Sequence, residues 1–203
     1  GETMSDPVEF YFEFSSPYGY FAAQKIDQIA ADNGRNCVWK PFLLGAAFKK
    51  TGMAPLVQQP MRGDYALKDW QRLSRYMDVA WKMPAVFPVH TVAATRAFYW
   101  INERDPDQAR LLAKSLYHAV FGEGQDISTP QAVADIASAL FVDKDELLAA
   151  LEDQSVKDMM RTETDKALEK GVFGSPYFIV DGEGFWGSDR LWMVKKWLQS
   201  GGW

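Results

Sequence analysis

Short strand-forming segments at the two ends of the chain enclose a long stretch of purely helical pattern, and this order narrows the possible folds more than any other feature. Val8 to Phe14 (VEFYFEF) is aromatic and β-branched with charges interspersed, the pattern of a strand with at least one buried face. Ser15-Ser16-Pro17 stops that strand and opens a helix, because proline is tolerated at the first helical position and a serine hydroxyl satisfies the free N–H groups of the first turn. Tyr18, Ala22, Ile26 and Ile29 then follow at helical spacing, Asn33-Gly34 supplies the stop, and Cys37 to Phe42 reads as a second strand. A strand, a crossover helix and a strand imply a parallel pair. At the other end, Tyr177 to Val180, the turn pair Asp181-Gly182 and then Phe185-Trp186 predict a hairpin. Leu191, Val194 and Leu198 share one face of a closing helix, with Ser188 or Asp189 in position to cap it.

Between these ends, hydroxyl or acidic starts and glycine stops mark out successive helices. Asp105-Pro106 opens one that Gly122 ends, Thr129-Pro130 opens another, and Thr91 begins a further one just after His90. Asp143 with Glu146 and Ser155 with Asp158 have capping-box spacing. A βαβ unit in front and a ββα unit behind, separated by helices, is the order of an α/β thioredoxin-like fold with a helical insertion. The division expected is a thioredoxin-like part over 4–42 and 166–203 and an all-helical insertion over 43–165.

Composition excludes several classes of function. The formal net charge is -5 and no block of lysine or arginine occurs, so neither a nucleic-acid-tracking surface nor one for an anionic membrane is expected. No apolar run approaches the roughly 18 residues of a membrane span, and no basic stretch precedes an apolar one near the start. A single cysteine, Cys37, forbids an intramolecular disulfide and a cysteine metal cluster. The two histidines, His90 and His118, lie in no ligand spacing, so no metal is expected. A cytoplasmic protein with a small-molecule partner is the resulting expectation, and Gly1-Glu2-Thr3 ahead of Met4 reads as an expression remnant.

Three segments carry chemistry. FEFSSPYGY (12–20) places Ser16 at a helix start, where a hydroxyl either caps the helix or donates to a bound thiolate that the local dipole also favours. GVFGSPY (171–177) sets Pro176 just before the hairpin. WGSDRL (186–191) offers a hydroxyl and a carboxylate at a second helix start, again a capping pair or a ligand site. In this order and spacing the three segments resemble the 2-hydroxychromene-2-carboxylate isomerases and the kappa-class glutathione transferases, DsbA-like members of the thioredoxin superfamily, over essentially the whole chain from Val8.

The resemblance implies a glutathione-dependent enzyme that takes a small aromatic substrate and forms a homodimer. DsbA-like redox relatives carry Cys-x-x-Cys where this chain has Ser16 and Gly19, so thiol–disulfide exchange is excluded at that turn and Ser16 is the implied catalytic group. The resemblance further implies a cis peptide before Pro176 and backbone pairing of Ser175 with the cysteinyl part of glutathione. Ser188 and Asp189 are implied for its γ-glutamyl end, with Asp189 on the ammonium, and Arg62 of the segment Pro60-Met61-Arg62-Gly63 for its glycine carboxylate. One departure is Gly52-Met53, where relatives often carry asparagine after the glycine, which bears on the substrate more than on glutathione. Trp39, Trp70, Trp81, Phe98, Trp100 and Phe121 read as core or pocket wall, and Tyr18, Phe173 and Trp186 as the aromatics nearest the site. The leading expectation is isomerisation of 2-hydroxychromene-2-carboxylate or a related intermediate of aromatic catabolism. The alternatives are a kappa-like transferase or peroxidase, and a non-catalytic binder on the same frame.

Overall fold

The computed structural model describes residues 5–203, so the expectation about Gly1 to Met4 lies outside the described residues. Strand β1 (Val8–Phe12) leads through helices α1 (Pro17–Ala23) and α2 (Ile26–Asp32) to strand β2 (Cys37–Pro41). The single helix expected here is interrupted after Ala23. The periodicity conceals the break because Ala22, Ile26 and Ala30 are all buried at four-residue spacing across it. Seven helices follow: α3 (Leu44–Thr51), α4 (Arg62–Met77), α5 (Val92–Asn102), α6 (Pro106–Tyr117), α7 (Pro130–Ser138), α8 (Lys144–Glu152) and α9 (Gln154–Glu169). Strands β3 (Tyr177–Val180) and β4 (Glu183–Trp186), a tight turn over Ser188–Arg190 and helix α10 (Leu191–Ser200) complete the chain.

The four strands form one mixed sheet in the order β2-β1-β3-β4. β1 runs parallel to β2 and antiparallel to β3, and the hairpin partner β4 forms the second edge. β1 is central, which explains why nearly every residue in it is buried rather than every second one. Phe10 and Phe12 point to one face, where Phe10 stacks on Phe178 of β3 at 5.6 Å and Phe12 meets Phe98 of α5 and Tyr117 of α6. Tyr11 points to the other face with Phe42, Ala47, Ala167 and Val172. Each fully buried phenylalanine contributes about 1.5–3 kcal/mol by leaving water. The larger core is continuous from the sheet into α4, α5, α6 and α7, so the helical segment is packed onto the frame and not strung beside it.

The helix starts expected between the ends are in place, with one correction. Asp105, Thr129 and Asp143 accept from the backbone N–H of Gln108, Ala132 and Glu146. Ser155 is not a cap. Asp153, two residues earlier, accepts from the Ser155 N–H and opens α9, because the chain turns sharply between α8 and α9 with Asp153 serving both ends. Among the described residues, no helix is long and apolar enough to cross a membrane.

Candidate functional site

The site is the turn where β1 runs into α1. The strand ends two residues short of the expected Phe14, and Glu13 to Ser16 form a tight turn in which the Ser16 N–H donates to the Glu13 carbonyl at 3.0 Å. Ser16 is extended (φ -99°, ψ 111°), Pro17 takes the first helical position, and the Ser16 Oγ accepts from the Gly19 N–H at 3.0 Å. Ser16 is thus the cap that its sequence context implies, but capping uses only the oxygen. Its own proton goes elsewhere, to the Ser175 carbonyl at 3.1 Å. Gly19 is required here, because a Cβ at this position would run into the Tyr117 hydroxyl.

Ser175 approaches the turn from the loop before β3, and the Ser175-Pro176 peptide is cis, as the resemblance implies. Its side chain returns a second bond, with the Ser175 Oγ accepting from the Glu13 N–H at 2.9 Å. The Ser175 N–H has no hydrogen-bond partner among the described residues. The third segment is tied to the second by the Gly187 N–H, which donates to the Pro176 carbonyl at 2.9 Å. The Ser188–Arg190 turn in turn packs against α1. The three segments singled out in the sequence therefore converge at one end of the sheet.

Ser188 and Asp189 do not cap α10, contrary to expectation. The intervening turn makes Arg190 the residue before the helix, no side chain caps it, and the Asp189 carboxylate folds back over Gly187. Asp189 is exposed and near enough to Tyr18 to help raise its phenol. Burial contributes most to that shift, followed by Asp69 of α4, whose carboxylate accepts from the Tyr18 hydroxyl at 2.7 Å. Tyr18 is therefore a neutral donor beside two carboxylates. Arg62 is exposed at the first position of α4, and its guanidinium donates to the Gln59 side-chain carbonyl at 3.4 Å. It makes no direct bond to Ser16, Ser175 or Asp189, but it lies seven residues before Asp69 on the same helix face, about 10 Å along the axis. Phe173 and Trp186 pack together at 5.1 Å, both exposed, with the Trp186 indole lying against Gly174 beside Ser175. Trp39, Trp70, Phe98 and Phe121 are buried, whereas Trp100 is half-buried under Arg104 at 4.0 Å.

Beneath the turn lies Glu13, a residue of the FEFSSPYGY segment for which the sequence implies no role. Glu13 is 5% exposed, and its carboxylate accepts from the Thr91 hydroxyl, from the Leu44 N–H at 2.8 Å and from the Ser15 N–H at 3.3 Å. Those donors belong to the cap of α5, the first residue of α3 and the turn itself. Burial raises the Glu13 carboxyl above the usual carboxylate range, while the hydroxyl and N–H donors pull it down. Tyr117, also buried, donates to the Glu13 carbonyl at 2.7 Å, and burial followed by the Glu13 charge holds its phenol protonated. In the sequence Glu13 stands out only as one of two charges, with Glu9, inside an aromatic strand segment. Nothing local marked Thr91 or Tyr117, which arrive from 78 and 104 residues away.

The site has no thiol of its own. Cys37 is buried in β2, where burial and the Asp27 charge push its thiol up. Among the described residues, no group of three or more His, Cys, Asp or Glu side chains could hold a metal ion. What the turn does present is a fixed hydroxyl, an unpaired backbone N–H, a carbonyl and nearby carboxylates. That set suits an extended peptide-like ligand with an ionisable atom at Ser16.

The DSBA-like thioredoxin domain profile matches residues 7–199. Among curated proteins, the chain is 28% identical to the glutathione S-transferase kappa 2 of Caenorhabditis elegans, covering 94% of this chain and 91% of that one. It is 25% identical to the 2-hydroxychromene-2-carboxylate isomerase of Sphingobium xenophagum, covering 96% and 99%. A solved 2-hydroxychromene-2-carboxylate isomerase superposes with a TM-score of 0.86 at 26% identity, over 95% of this chain and 94% of the other.

Proposed function

The chain belongs to the DSBA-like thioredoxin domain family, and on that footing we propose that it is a glutathione-dependent isomerase of 2-hydroxychromene-2-carboxylate or a related aromatic-catabolism intermediate. The observation that carries this reading is the Ser16 hydroxyl, held by the Gly19 N–H at 3.0 Å and set beside the Ser175 backbone where a redox relative would present a thiol. Glutathione supplies the thiol. Its cysteinyl backbone pairs with Ser175, its γ-glutamyl end meets Ser188 and Asp189, and its glycine carboxylate meets Arg62. Ser16 donates to the sulfur and favours the thiolate.

When bound, glutathione would supply a nucleophilic sulfur able to add reversibly to the conjugated, ring-opened substrate and leave again, with the thiol regenerated and no net redox change; Ser16 would hold that sulfur as the thiolate and Ser175 would orient it. A spectrophotometric assay of 2-hydroxychromene-2-carboxylate turnover tests the reading. We expect turnover only when glutathione is present, and loss of most of it in Ser16→Ala with a smaller loss of glutathione binding. Turnover without glutathione, or an unimpaired Ser16→Ala protein, contradicts it.

Similarity to a glutathione S-transferase kappa 2 supports a second reading, in which the same thiolate stays on an electrophile. Both reactions share the thiol-activating groups, so parallel assays with a conjugation substrate and with the chromene carboxylate distinguish them.

A further inference from the structure

The Ser16 hydroxyl has one proton, and in the structure that proton is committed to the Ser175 carbonyl at 3.1 Å. The proposed chemistry asks the same proton to sit on a sulfur. It also asks the same carbonyl to accept from the cysteinyl N–H of glutathione. Resting on that reading, we infer that the two demands are met by one exchange: the ligand's N–H takes over the Ser175 carbonyl, and the Ser16 O–H is thereby released to the thiolate. Thiol activation is then conditional on an amide N–H in the ligand, which makes the Ser175 carbonyl a specificity-determining group for thiols of peptide type.

Within the protein, the bonds that hold Ser16 and Ser175 do not depend on the one to be exchanged. The Gly19 N–H fixes the Ser16 oxygen from the helix side, so the hydroxyl hydrogen needs only to rotate about the Cβ–Oγ bond. The Ser175 loop is also held independently of Ser16, because the Glu13 N–H donates to the Ser175 Oγ at 2.9 Å and the Gly187 N–H holds the next carbonyl, that of Pro176, at 2.9 Å. Releasing the Ser16 bond therefore leaves the loop in register. The Ser175 N–H, without a partner among the described residues, offers the ligand the second bond of an antiparallel pair. An acceptor that takes on a second donor holds the first less strongly, and a sulfur anion is a stronger acceptor than a neutral carbonyl, so both changes drive the proton in one direction.

The exchange distinguishes ligands that otherwise look alike. A glutathione analogue with an ester oxygen in place of the cysteinyl peptide nitrogen keeps both charged ends, the thiol and the shape, and lacks only the donor. The test is an ultraviolet thiolate titration of glutathione and of this ester analogue, each bound to the wild-type protein at concentrations that calorimetry shows to be saturating. We expect bound glutathione to titrate about one pKa unit or more below free glutathione, and the bound ester analogue to titrate within a few tenths of a unit of its free value. An equal downward shift in both ligands overturns the exchange while leaving Ser16 activation intact. Absence of any shift for glutathione itself defeats the underlying reading instead. Complete loss of binding by the ester also contradicts the exchange, since the scheme leaves the two ends of the tripeptide to hold it.

Discussion

At the scale of single residues, the turn is held by the Glu13 carboxylate, which accepts from three donors beneath it. Replacing Glu13 by alanine strands the Leu44 and Ser15 N–H groups and the Thr91 hydroxyl in a buried site. Unsatisfied buried donors cost about 1–3 kcal/mol each. We expect Glu13→Ala to lose about 3 kcal/mol or more of unfolding free energy by urea denaturation, and a loss below about 1 kcal/mol would show that these bonds do not organise the turn. The pH dependence has a definite sign. Because the folded-state Glu13 carboxyl titrates above its unfolded value, the folded protein holds a proton that the unfolded chain has already released across that window. The contribution is present below the unfolded carboxylate range and fades as pH rises through the higher folded value. Glu13→Gln should flatten that decline in urea melts across the acidic range. Gly19→Ala is a second residue-scale test, since the added methyl meets the Tyr117 hydroxyl. It should lower turnover more than stability, and Tyr117→Phe in the same chain should recover part of the loss.

At the scale of elements, what was legible followed local chemistry. Asp181-Gly182 marked the hairpin, and Pro106 and Pro130 marked helix starts whose caps, Asp105 and Thr129, are in place. Thr129→Ala should cost about 1 kcal/mol, read as a lower thermal midpoint, and a neutral result would remove the cap from the account. What was not legible was set by packing over distance. The break between α1 and α2 preserves the buried spacing, so no pattern reveals it. The turn over Ser188–Arg190 carries the composition of a helix cap but inserts three residues before α10, and this leaves the Asp189 carboxylate directed at Gly187 rather than at the helix. The same turn leaves the Ser188 and Asp189 side chains uncommitted to the start of α10.

At the scale of the whole molecule, the site exists only because distant segments are held together. Ser16 comes from the first turn of α1, Ser175 from the loop before β3, the Leu44 and Thr91 donors from α3 and the start of α5, and Asp69 from α4. The order of strands made the frame readable, because βαβ followed by ββα leaves few topologies. The place of the site was readable in three short segments that converge, and its supporting network was not, since Glu13, Thr91 and Tyr117 meet only after folding. A core continuous from sheet to helices predicts cooperative loss of both, so tryptophan fluorescence and helical circular dichroism should report coincident unfolding transitions. Separate transitions would contradict a shared core. The central claim, that Ser16 activates the thiol of bound glutathione, is tested most directly by titrating thiolate absorbance in the complexes of the wild-type and Ser16→Ala proteins. The account predicts a thiol pKa at least about one unit below that of free glutathione in the wild type, returning toward the free value in the variant; the same pKa in both complexes would contradict it.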